Sequence, residues 1–144
     1  MAVIHFLKKL FPNAPDRLLG GALMTLLLWL FILPAQFIEI IIKHESFPTS
    51  FWDWVLKFFY AWGYVIAMFL IAHLTNFSYA SGPLLRFFAE FLGLIIASPI
   101  YFSIGASFAT QEKRKVVGAV VLAQVHLLIS SCITAWLIIF IFGA

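Results

Sequence analysis

From Leu18 to Ile42 the chain carries one charged side chain, Glu39, and that near the far end of the stretch. A helix needs about 20 apolar residues to cross about 30 Å of hydrocarbon, and this segment is long enough to do so. Three comparable stretches follow. The whole chain of 144 residues is 64% hydrophobic and 10% charged, with a mean hydropathy of +1.06. Soluble domains hold about 45–50% apolar and about 25% charged residues, so the solvent this composition suits is lipid. Four spans with short loops use up the length and leave no room for a soluble domain. The nine Lys and Arg against six Asp and Glu are a small excess that marks headgroup or cytoplasmic positions, not a nucleic-acid partner. A single cysteine, Cys132, allows no intrachain disulfide.

The expected fold is an all-α integral membrane protein, a four-helix transmembrane bundle preceded by a short interfacial helix. That helix, about 2–12, places Val3, Ile4, Phe6, Leu7, Leu10 and Phe11 opposite Lys8 and Lys9, which suits a helix lying in the headgroup plane. No small-residue cleavage site follows it, so a signal peptide is not expected. Asn13, Pro15 and Asp16 form a start signal for a first span at about 18–42, which Pro34 should kink. Ser50 and Asp53 resemble a capping box opening a second span at about 51–74. That span begins with an aromatic crowd from Phe51 to Tyr64, as at a headgroup boundary. The third span, about 84–108, contains Ser98-Pro99, and the fourth occupies about 116–142. The sequon Asn76-Phe77-Ser78 lies in a polar turn at 75–82 and says little without a compartment.

Orientation is ambiguous from charge. Lys8, Lys9 and Arg17 flank the first span, while Lys113, Arg114 and Lys115 precede the fourth, so four full spans put the two clusters on opposite sides. An exposed basic outer loop, a third segment re-entrant at Ser98-Pro99, and dual topology each resolve the conflict.

Ionisable groups inside spans are costly and are therefore the functional candidates. Glu39 and Lys57 face the same leaflet in an antiparallel hairpin and form one candidate ion pair, although Lys57 can also snorkel or meet Asp53 one turn back. Arg86 and Glu90, four residues apart, form a second. His126 is the deepest, about 15 Å into the fourth span, with Ser130 and Thr134 at four-residue spacing below it. These three make a candidate polar seam for a proton, ion or headgroup. The competing reading is a neutral histidine bonded to a neighbouring helix, with both hydroxyls bonding their own backbone. Small residues Ala89, Gly93 and Ala97, and likewise Gly63 with Ala67 and Ala119 with Ala123, are spaced for close helix packing.

No HExxH, GxSxG, Walker A or CxxC motif is present, and the acids converge on no dyad. No enzyme activity, metal or cofactor is expected. The offset between His73 and His126 along their spans is too large for shared coordination. The leading expectation is a non-enzymatic subunit or accessory factor of a larger membrane complex, in a bacterial inner membrane. Its partners would be the lipid bilayer and a membrane protein or further copies of itself. The alternative is a small oligomeric transporter, flippase or channel.

Overall fold

The computed structural model describes residues 2–43, 51–74, 83–110 and 112–142. Loop 44–50 with the Ser50 cap, the turn 75–82 with its sequon, and Gln111 lie outside the described residues. Among the described residues six helices form and no strand occurs. They are α1 (Ala2–Leu10), α2 (Asp16–Lys43), α3 (Phe51–Phe58), α4 (Ala61–Leu74), α5 (Pro83–Ala109) and α6 (Lys113–Phe142).

Among the described residues, three segments are long and apolar enough to cross a membrane: Asp16–Ala35, Phe87–Ala109 and Lys113–Leu137. The second expected span differs. Residues 51–74 make two helices, and the longer, Ala61–Leu74, reaches about 21 Å at 1.5 Å per residue. That is short of the hydrocarbon thickness. At the break, the amides of Phe59 and Tyr60 donate to the carbonyls of Leu56 (3.2 Å) and Lys57 (3.0 Å). These three-residue bonds tighten the last turn of α3, and Tyr64 N–H to Tyr60 C=O, at 2.9 Å, restarts the α-helical pattern. Neither proline nor glycine causes the interruption.

The proline sites, by contrast, do not interrupt their helices. α5 is one helix through Ser98-Pro99, so the backbone break that a re-entrant third segment requires is not there. Ser103 Oγ donates to the Pro99 carbonyl at 2.8 Å. α2 likewise continues through Pro34. Helix starts follow capping logic. The Pro15 carbonyl accepts from Leu18 and Leu19, and Asp16 in the first turn of α2 pairs with Lys8 of α1 at 2.6 Å. The Glu112 carbonyl accepts from Lys115 and Val116. The hydrogen bond from the Lys115 side chain holds the Glu112 carboxyl below the usual carboxylate range.

The chain divides into two compact units, and the three long helices each contribute to both. The first unit holds residues 1–29 and 98–126. Here α2 and α5 meet backbone to backbone. A Cβ on Gly20 would lie 2.5 Å from both the Ala109 Cβ and the Gly105 carbonyl oxygen, and one on Gly21 would strike the Phe102 ring at 2.6 Å. Only glycine permits this approach. Beside it Trp29 Nε1 donates to Ser98 Oγ at 2.8 Å.

The second unit holds residues 30–97 and 127–144. Its core contains Ile32, Leu56, Ala61, Ala67 and Leu94. A Cβ on Gly63 would lie 2.5 Å from the Gly93 carbonyl oxygen, and one on Gly93 would lie 2.9 Å from the Tyr64 Cα. Ala89 and Ala97 extend this contact along α5 and are fully buried. Such close backbone contact contributes dispersion energy that larger side chains at these positions would forfeit.

Candidate functional site

The α4–α5 contact sets the position of an ion pair inside the second unit. Lys57 lies in the last turn of α3, Tyr60 in the break, and Glu90 on α5, three residues before Gly93. Lys57 Nζ lies 2.7 Å from Glu90 Oε1, and both side chains have zero exposure. Tyr60 Oη donates to the other carboxylate oxygen, Oε2. The Lys57 ammonium also sits 4.7 Å from the centroid of the Tyr64 ring, whose face attracts cations. Tyr60 and Tyr64 pack edge to face at 6.4 Å. Both oxygens of the carboxylate are thus occupied by donors, one of them charged. In a low-dielectric interior this satisfaction decides whether a buried pair is tolerated.

The two sequence candidates Lys57 and Glu90 are therefore brought together across 33 residues of chain. The side chains of their expected partners, Glu39 and Arg86, lie outside the described residues. Two members of the aromatic crowd, Tyr60 and Tyr64, point into the protein and serve the pair.

His126 is buried at the edge of the first unit, with its ring at 5.2 Å and 85° to that of Tyr101 on α5. His126 Nε2 and Tyr101 Oη are 3.2 Å apart, a hydrogen bond whose direction follows the histidine tautomer. The histidine is thus bonded to a neighbouring helix. Ser130 and Thr134, in the second unit, are also buried, but their hydroxyls have no hydrogen-bond partner among the described residues. The expected bond to their own backbone is not formed. The contrast with Ser131, whose Oγ donates to the Leu127 carbonyl at 2.6 Å, shows that the local helix permits such a bond.

Among the described residues, no group of three His, Cys, Asp or Glu side chains comes together as a metal site. His73 is exposed at the end of α4.

Chemically, the Lys57–Glu90–Tyr60 cluster is buried and shut off from solvent. Each group is turned toward another member, and the arrangement ties the α3–α4 break to α5. Sequence reading missed the role of Tyr60, because a tyrosine at the end of an apolar run reads equally well as a headgroup anchor, and it passed over Tyr101 in the interior of the third segment. No protein-family model matches the chain, and no curated protein or solved structure matches it.

Proposed function

We propose that this chain is a non-enzymatic subunit or accessory factor of a larger membrane complex. In this reading it sits in a bacterial inner membrane as a bundle of four membrane-embedded segments. α2, α5 and α6 cross, α3 and α4 together supply the fourth, broken segment, and α1 lies at the interface. The observation that carries the reading is the complete burial of the Lys57–Glu90–Tyr60 network. Lys57 and Glu90 are spent on joining helices, with a donor on each carboxylate oxygen and no exposure to solvent. What the chain presents outward is apolar helix surface, from Leu26 and Phe31 on α2 to Leu128 and Trp136 on α6.

Purification of the native protein in mild detergent, with identification of what co-elutes, tests the proposal. A defined hetero-complex of fixed stoichiometry is the expected result. A pure homo-oligomer that moves a solute across reconstituted vesicles would overturn it.

A transporter or channel is the second reading, favoured by the buried hydroxyls of Ser130 and Thr134, which have no hydrogen-bond partner among the described residues. His126 separates the two. If the histidine bonds α5 through Tyr101, His126→Ala should cost about 0.6–2 kcal/mol of bundle stability. His126→Gln should recover much of it, since an amide both donates and accepts. A thermal-stability assay run beside a cellular phenotype checks this. Variants that assemble fully yet are inactive, for Ala and Gln alike, favour conduction, because only a titrating imidazole can pass a proton.

A further inference from the structure

The buried face of α6 in the first unit is marked by Ala119 and His126. Gln124 lies on the other side of the helix, exposed, and makes no hydrogen bond among the described residues. Val117, Val120 and Val121 share its face and are 62%, 41% and 51% exposed. Gln124 is nine residues beyond Lys115, so about 13–14 Å of helix separates it from the basic cluster. With that cluster at the headgroups, the carboxamide sits near the middle of the hydrocarbon. Lipid tails offer neither a donor nor an acceptor there, and an outward-facing amide at that depth is left unsatisfied.

We infer that this face of α6 is a homodimer interface, occupied by the same face of a second copy of the chain. The chemistry selects the occupant. A carboxamide carries a donor and an acceptor on one group, so across a two-fold axis each Gln124 donates its N–H to the other's C=O. One residue type then satisfies itself with no other polar partner. The flanking valines fit the same role. Their χ1 is already restricted in a helix, so packing them against a second helix costs little further side-chain entropy. The inference rests on the proposed membrane placement but not on the subunit role, since a dimer can serve a larger complex or none.

The test uses the full-length chain in phospholipid vesicles in a Cys132→Ser background. Cysteines introduced singly as Val117→Cys, Val121→Cys and Leu122→Cys are oxidised, and dimer formation is read on gels. Val117 and Val121 should cross-link at least about 5-fold more than Leu122, which is rotated to a different side of the helix. Single-molecule photobleaching then compares Gln124→Leu with Gln124→Asn. The leucine variant, which remains compatible with a lipid-facing helix, should weaken the dimer about 3- to 15-fold, the range of interhelical hydrogen bonds in bilayers. The asparagine variant should retain most of it. A monomer at every protein-to-lipid ratio, cross-linking equal at Leu122, or a Gln124→Leu dimer as tight as the wild type would each overturn the inference. A monomer recovered within a hetero-complex would overturn it while leaving the subunit reading intact.

Discussion

Replacing Lys57 with methionine should collapse the steady-state level of the protein. The substitution removes the ammonium 2.7 Å from Glu90 and leaves a carboxylate at zero exposure without that cation. Removing one partner of a buried pair costs about 3–5 kcal/mol, mainly because the other charge stays in the low-dielectric interior. Against a typical total stability of about 5–15 kcal/mol this is a large fraction. Glu90→Ala should be at least as damaging, since it strips the acceptor from both Lys57 and Tyr60. Tyr60→Phe should be milder, at about 1.5–3 kcal/mol for a lost hydrogen bond to a charged group. Thermal melts in detergent, with expression measured in parallel, rank the three.

Gly93→Leu is the second large effect. Even a bare Cβ at this position would lie 2.9 Å from the Tyr64 Cα and 3.0 Å from the Tyr64 amide nitrogen. Those are backbone atoms, which cannot rotate away, so α4 and α5 must separate. Separation forfeits the stripe of contacts through Ala89 and Ala97 and draws Tyr60 away from Glu90. The expected result is a loss of several kcal/mol, of the order seen for the worst overpacked cores. Phe91→Leu, on the same helix but only half-buried, should cost far less. Equal tolerance of both substitutions would show that α4 and α5 do not touch at Gly93.

These two effects mark what can be read from the residues. The spacing of Ala89, Gly93 and Ala97, and of Gly63 and Ala67, is local to each helix, so the packing stripe is legible in the sequence alone. The three long helices are legible for the same reason, as unbroken apolar runs. The ion pair is not, because each charged residue has a nearer partner in the chain. Lys57 has Asp53 and Glu90 has Arg86, four residues away in both cases, and i,i+4 pairing is the obvious reading. What joins Lys57 to Glu90 is a contact across 33 residues, made through a helix break with no proline or glycine to signal it. Conversely, Ser98-Pro99 carries the strongest breaking signal in the third segment, and α5 passes through it. Tertiary packing overrides local propensity at both places. Gly20 and Gly105 show a third limit. Only their mutual contact, between two separate apolar runs, makes them a packing pair.

On this reading Lys57 and Glu90 serve the architecture of the protein and carry no solute or proton. The direct measurement is the double variant Lys57→Met/Glu90→Gln, assayed for level, melting temperature and cellular phenotype beside each single variant. The double variant removes both charges yet keeps an acceptor for Tyr60, and neutral replacement of a buried pair is often harmless or stabilising. It should regain most of the stability lost by Lys57→Met and, with it, the wild-type phenotype. A double variant that is stable and assembled but has lost the phenotype would contradict the architectural role and place the pair in a working site.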